Sequence, residues 1–156
     1  MDSLHLVKAT REHLLRMGSW FPDQESCRVW GGPEFRFPFT AETFLADSKW
    51  ADLASHALIR NSTELCGFGQ FYLRAGRCHL GRLAISPDCR GQGLGTQLIA
   101  LLQKAGKQQL GTTEYSLFVS FTNTAAKALY ERLGFKCVPY PEKGFEIPDS
   151  HYMVAS

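Results

Sequence analysis

One stretch constrains this chain more than any other: Ile85-Ser86-Pro87-Asp88-Cys89-Arg90-Gly91-Gln92-Gly93-Leu94-Gly95-Thr96. Before it, Cys78 to Ile85 reads as a strand. After it, from Gln97 on, Leu98, Leu101, Leu102 and Ala105 recur on one helical face. The segment is therefore a glycine-rich turn from strand to helix. Glycines there let the backbone approach a ligand closely. The free N–H groups of the first helical turn then point at that ligand, and the helix dipole favours an anion. A phosphate cradle is one reading, and a tight turn with no ligand is the other. A P-loop is excluded because no Gly-Lys pair stands here. A dinucleotide fingerprint fits only in its first half, since Thr96 occupies the third glycine position. Glu114 lies at about the distance of a ribose-binding acid, but at the start of the next strand rather than at its carboxyl end.

The rest of the pattern sets this turn in a mixed α/β sheet. Leu4 to Lys8 reads as a strand, and Thr10 caps a helix through Arg16 that ends at Gly18. Pro22 opens a short helix from Asp23 to about Val29, broken by Trp30-Gly31-Gly32-Pro33. Glu34 to Phe39 reads as irregular, and Thr40 caps a helix with Phe44 and Leu45 facing inward. Ser55 to Arg60, Leu65 to Leu73 and Cys78 to Ile85 form an antiparallel meander, turned at Asn61-Ser62-Thr63 and Ala75-Gly76-Arg77. Gly67 and Gly69 are bulge candidates. Tyr115 to Phe121 is a strand, Thr124 to Leu133 a helix, and Phe135 to Tyr140 and His151 to Val154 are strands. Strands followed by alternation with helices give a mixed sheet.

Composition narrows the classes further. The 156 residues suit one domain, residues 1–156, with a core that needs no staples. A net charge of +2 argues against a general nucleic-acid binder. No apolar run reaches the ~20 residues of a membrane span, and the first residues hold no signal-peptide core. The five cysteines, Cys27, Cys66, Cys78, Cys89 and Cys137, are odd in number and form no C-x-x-C pair. That argues against a disulfide framework and a zinc ribbon, so no metal is expected, and the simplest compartment is the cytoplasm.

Two segments resemble one family. Arg90-Gly91-Gln92-Gly93-Leu94-Gly95 matches the R/Q-x-x-G-x-G/A signature of the GNAT N-acetyltransferase superfamily. Asn123-Thr124-Ala125-Ala126-Lys127-Ala128-Leu129-Tyr130-Glu131-Arg132-Leu133-Gly134-Phe135 resembles its second signature, an Asn opening a helix that ends Leu-Tyr-Glu-x-Leu-Gly-Phe. The resemblance covers roughly Leu53 to Met153. It implies an α/β fold with a mostly antiparallel central sheet flanked by helices, and a splayed strand pair forming an acetyl-CoA cleft. It implies acetyl-CoA as cosubstrate, with Arg90 flanking its phosphates, Gly91, Gln92, Gly93, Leu94 and Gly95 offering N–H groups and Thr96 a hydroxyl. Leu83, Ala84 and Ile85 would bind the pantetheine arm like an added strand. Asn123 has two compatible roles, helix cap or pantetheine contact. Tyr130 matches the tyrosine near the CoA sulfur; the alternative is a packing aromatic.

The implied chemistry is attack of an amine on a thioester carbonyl, with an N–H near Ile85 polarising the carbonyl. The base is open. Neither Cys78 to Ile85 nor Tyr115 to Phe121 contains a carboxylate. His79 is the one ionisable base on the first of these strands, against the reading of an exposed histidine at a strand start. Glu64, Glu142, Glu146, His151 or a water chain are the other sources. Trp30, Glu34 and Phe35 lie where the family builds the acceptor side: aromatic walls with Glu34 drawing the ammonium, or a hydrophobic loop folded on the sheet. The expected partner is a small-molecule or peptide amine, with no nucleic acid and no membrane, and a homodimer is a family trait. The expected function is N-acetyl transfer to a primary amine; the alternative is a non-catalytic acyl-CoA sensor with the same fold.

Overall fold

A computed structural model describes residues 3–144 and 149–156. The elements run β1 (Leu4–Lys8), α1 (Arg11–Met17), α2 (Gln24–Gly31), α3 (Ala41–Asp47), β2 (Ala54–Arg60), β3 (Glu64–Arg74), β4 (Arg77–Ile85), α4 (Leu94–Leu110), β5 (Tyr115–Ser120), α5 (Thr124–Arg132), β6 (Lys136–Cys137) and β7 (Ser150–Ala155). The sheet order is β1-β2-β3-β4-β5-β7-β6. β1 pairs antiparallel with β2, β7 runs antiparallel to both β5 and β6, and β4 pairs in parallel with β5. This is the expected mixed, mostly antiparallel sheet with helices.

The chain divides into two compact units, one of residues up to Gln70 with Arg82–Leu102, the other of Phe71–Gly81 with residues from Gln103 on. In the first, helices open where short polar side chains can cap them. Thr10, Asp23 and Thr40 each accept from the backbone N–H three residues on, as capping boxes. Their apolar faces join β2 and β3 in one core built on Leu14, Met17, Phe35, Phe44 and Phe68, all at most 2% exposed. The aromatic segment belongs to this core. The Trp30 ring stacks on Phe21 at 4.4 Å and on Phe44 at 5.6 Å between centroids. Gly67 and Gly69 are close-packing positions: a side chain on Gly67 would meet the Ala84 carbonyl at 3.1 Å, and one on Gly69 would run into Leu102.

In the second unit, β5 and β7 pair over six residues each. The Ala75-Gly76 turn between β3 and β4 has positive φ at both residues, the backbone that a two-residue hairpin wants. Several boundaries differ from the sequence expectation. The second helix, expected to break at Trp30-Gly31, runs through both and ends at Gly31. The helix expected from Gln97 begins at Leu94, immediately after Gly93. The strand expected over Phe135 to Tyr140 shrinks to Lys136–Cys137, since Pro139 and Pro141 have no N–H to give a ladder. The strand expected over His151 to Val154 extends to Ser150–Ala155.

Candidate acyl-donor site

The candidate site begins with a kink in β4. Arg82 sits in the left-handed region, at φ 47°, although it is not a glycine. For an L-residue that costs roughly 1–2 kcal/mol, so the surroundings must hold it there. They do so twice. The Trp30 indole N–H donates to the Arg82 carbonyl at 2.8 Å. The Arg82 guanidinium donates to the Gln70 side-chain oxygen at 3.1 Å, and the buried Gln70 amide in turn donates to the Ser48 carbonyl at 2.7 Å and the Ser55 hydroxyl at 3.0 Å. The β4–β5 ladder covers only Cys78–Leu80. Leu83, Ala84 and Ile85 lie past the kink and outside that ladder.

Past Ile85 the chain makes a 3-10 turn, Pro87–Cys89, and enters the glycine loop. The Arg90 side chain folds back to donate to the Ile85 carbonyl at 3.3 Å. Gly91 and Gly93 have φ of 77° and 76°, and a side chain on either would meet nothing within 4 Å. Both are left-handed and face open space. Gln92 is tied down by Arg60, whose guanidinium donates to its side-chain oxygen at 2.6 Å.

The helix that follows is, among the described residues, the longest, 17 residues, and a glycine precedes it. α1, α2, α3 and α5 are capped by Thr10, Asp23, Thr40 and Asn123 side chains. The residue before α4 is Gly93, which has no side chain to spend. The N–H groups of Leu94, Gly95 and Thr96 are orphan donors of a first helical turn. A phosphate placed over the two open glycines would satisfy them and meet the positive end of the dipole. The residues therefore fit the pyrophosphate of coenzyme A.

α5 belongs to the other unit. Asn123 is its N-cap: the Ala126 N–H donates to its Oδ1 at 3.3 Å. The far end closes as a Schellman motif, with Gly134 at φ 94°, its N–H on the Glu131 carbonyl at 3.1 Å and the Phe135 N–H on the Tyr130 carbonyl at 3.0 Å. The Tyr130 and Phe135 rings pack edge-on at 6.1 Å. Burial of the Tyr130 hydroxyl pushes its pKa up to about 12.

The remaining expected residues are placed as follows. His79 is 2% exposed, which corrects the expectation of an exposed strand-start histidine. Its Nδ1 is 2.8 Å from the Ser116 hydroxyl, and its ring packs near Tyr72 and Phe118. Desolvation, aided by the Arg74 charge, lowers its pKa to about 3. So buried and so weakly basic a ring is ill suited to take a proton from an ammonium, and the expectation of His79 as base is corrected on that ground. Phe35 is 2% exposed and packs on Trp30 and Phe44, which corrects its placement as a wall of the acceptor site. Trp30 spends its indole N–H on Arg82, whereas Glu34 is exposed. Glu64 pairs with Arg60 at 2.8 Å. Glu142 is exposed and His151 packs on Phe121; Glu146 lies outside the described residues. The residues missed in the sequence are Arg82, Gln70 and Arg60. Their signal was faint: a glutamine inside the apolar run Leu65 to Leu73, and an arginine after Gly81 in a strand.

Among the described residues no helix is long and apolar enough to cross a membrane. A family model described as the acetyltransferase (GNAT) family matches residues 24–135. The mycothiol acetyltransferase of Salinispora tropica is 37% identical over 95 residues, which cover 57% of this chain and 31% of that protein. The chain thus spans about a third of the length of that curated relative. AAC(6')-Ib in complex with ribostamycin and coenzyme A superposes with a TM-score of 0.77 at 22% identity, covering 99% of this chain and 93% of that one. Spermidine N-acetyltransferase from Vibrio cholerae, in complex with CoA and spermine, superposes with a TM-score of 0.73 at 19% identity, covering 97% and 94%. The loop and the capped α5 are the two signatures read in the sequence, and with the family match over most of its length the chain belongs to the GNAT acetyltransferase family.

Proposed function

We propose that this chain is an acetyl-CoA-dependent N-acetyltransferase acting on a primary amine, of the small-molecule class named for its structural neighbours. The single observation that carries the reading is the α4 N-terminus entered through Gly93, which has no side chain to cap it, behind two left-handed, open glycines. Acetyl-CoA supplies an activated acyl group as a thioester. The Leu94, Gly95 and Thr96 N–H groups hold its pyrophosphate, with Arg90 beside it and the Thr96 hydroxyl in reach of the same phosphates. Leu83, Ala84 and Ile85, turned off the ladder by the Arg82 kink, offer main-chain groups to the pantetheine arm, and the Ile85 N–H polarises the carbonyl. Asn123 spends its oxygen on the α5 cap and keeps its amide for the same arm. Glu34, exposed beside the aromatic core, draws the ammonium of the acceptor.

Tyr130 is the donor to the leaving sulfur. With a pKa of about 12 it stays protonated at neutral pH. Full transfer to a thiolate of conjugate-acid pKa ~8.5 would be uphill by roughly 5 kcal/mol. Its contribution is therefore a hydrogen bond that strengthens as charge gathers on sulfur, with the proton itself drawn from water. Water also takes the proton of the amine.

A second reading, a non-catalytic acyl-CoA sensor, is favoured by one observation: β4 and β5 carry no carboxylate, and His79 is buried and weakly basic. Thiol release from acetyl-CoA with a panel of amines separates the two. Turnover on an amine supports the transferase; tight CoA binding without turnover on any amine supports the sensor.

A further inference from the structure

Below the glycine loop, two thiols and a carboxylate converge. The Cys89 Sγ lies 3.2 Å from the Cys66 Sγ and 3.5 Å from the Glu64 Oε2. All three ligand atoms lie within 4.8 Å of one another. Cys66 and Cys89 are buried, whereas Glu64 is exposed and leaves one side of the cluster open to solvent. The acetyl-transfer reading uses none of these side chains.

We propose that Glu64, Cys66 and Cys89 form a binding site for a thiophilic divalent cation, with Zn²⁺ the best match to the donor set. Two sulfurs exclude Mg²⁺ and Ca²⁺, which take oxygen ligands. In a tetrahedral zinc site with ordinary bond lengths, neighbouring sulfurs stand about 3.8 Å apart and a sulfur and a carboxylate oxygen about 3.6 Å apart. The Cys89–Cys66 and Cys89–Glu64 separations of 3.2 and 3.5 Å are within about 0.6 Å of those values before any ion enters. The fourth position falls on the solvent side and takes a water.

Arg60 is what makes the cluster a built site. Its Nε donates to the Glu64 Oε1 at 2.8 Å, which leaves Oε2 aimed at the sulfurs. Its Nη2 lies 3.7 Å from the Cys89 Sγ. An outer residue that orients a ligating carboxylate and donates to a ligating sulfur is a second-shell partner of the usual kind. The charges also close: a divalent cation on two thiolates and one carboxylate carries −1, and the Arg60 guanidinium cancels it. Binding replaces both thiol protons with the metal, so two protons leave to solvent for each ion bound. The ion would tie the start of β3 to the 3-10 turn that leads into the loop.

This proposal stands independently of acetyl transfer, and no acetyl-CoA enters its test. The whole chain, stripped with a chelator and kept reduced by a phosphine, is titrated with Co²⁺. The expected result is one equivalent bound, with a near-ultraviolet sulfur-to-cobalt charge-transfer band that Zn²⁺ abolishes. Cys66→Ser and Cys89→Ser should each weaken binding more than tenfold, Glu64→Gln about tenfold, and Cys137→Ser not at all. Zn²⁺ should raise the melting temperature of the parent protein by more than that of Glu64→Gln at the same metal concentration. Because Glu64 is exposed, that variant keeps the test decisive if either serine variant fails to fold. No charge-transfer band in the parent protein would overturn the site, as would a band unchanged in folded Cys89→Ser or a Co²⁺ affinity unchanged in Glu64→Gln.

Discussion

The Phe135 N–H donates to the Tyr130 carbonyl at 3.0 Å while the two rings pack edge-on, 6.1 Å between centroids. One turn of chain thus ends α5 and fixes its tyrosine. Gly134 makes this possible, because its φ of 94° is open to few other residues. The run Leu-Tyr-Glu-Arg-Leu-Gly-Phe is legible as a Schellman end whose apolar contact is the tyrosine itself.

Gly134→Ala should therefore cost roughly 1–2 kcal/mol through the left-handed strain. For a chain of this length that lowers the melting temperature by about 3–6 °C. Thermal unfolding followed by circular dichroism checks it, and an unchanged midpoint would contradict the motif.

Tyr130→Phe keeps the ring and removes one oxygen. The melting temperature and the KM for acetyl-CoA should stay close to the parent values, and kcat should fall by ~10–100-fold, as for loss of a hydrogen bond made mainly in the transition state. Steady-state kinetics on the amine found in the panel measures this. A parental kcat would leave Tyr130 with packing alone.

The buried His79 should appear in stability rather than in rate. Its folded pKa of about 3 lies below its unfolded value near ~6.5. Above ~6.5 both states are neutral at this site, with no penalty. As pH falls below that, the unfolded chain takes up a proton that the native one refuses, so stability drops by up to ~1.4 kcal/mol per pH unit until about pH 3. Urea unfolding at pH 7.5 and pH 5 should show a loss of ~2 kcal/mol from this residue. His79→Gln should remove that loss and keep kcat at neutral pH within a few-fold. A large fall in kcat with no change in the acid slope would restore His79 as the base.

The kink at Arg82 gives a separate test. Trp30→Phe preserves stacking on Phe21 and Phe44 but removes the donor to the Arg82 carbonyl. The stability cost should be ~0.5–1.5 kcal/mol, the net worth of one hydrogen bond. The KM for acetyl-CoA should rise several-fold, because Leu83, Ala84 and Ile85 lose their fixed course. An unchanged KM would detach the kink from acyl-donor binding.

Much of this architecture could be read from the sequence, for identifiable reasons. The meander showed because Asn61-Ser62-Thr63 and Ala75-Gly76 are local turn signals, and the helices showed because Thr10, Thr40 and Asn123 are local caps. Gly91 and Gly93 showed because their spacing is local too. What stayed hidden joins residues far apart in sequence. Trp30 meets Arg82 and Arg60 meets Gln92 across 52 and 32 positions, and no pattern along the chain announces either pair. His79 misled because an isolated histidine in a strand looks alike whether it faces solvent or the core. The role of Phe35 was undetermined for the same reason, since an aromatic wall and an aromatic core have one composition.

The central claim is that the open turn before α4 holds the pyrophosphate of coenzyme A. Titration calorimetry of CoA into the parent protein and into Gly93→Glu tests it most directly. The side chain has room, so the variant should fold with a cost of roughly 1–2 kcal/mol for its left-handed backbone. Its carboxylate would stand where the phosphates bind and repel them. The account predicts clear binding heat in the parent and none in the folded variant; parental CoA affinity in folded Gly93→Glu would contradict it.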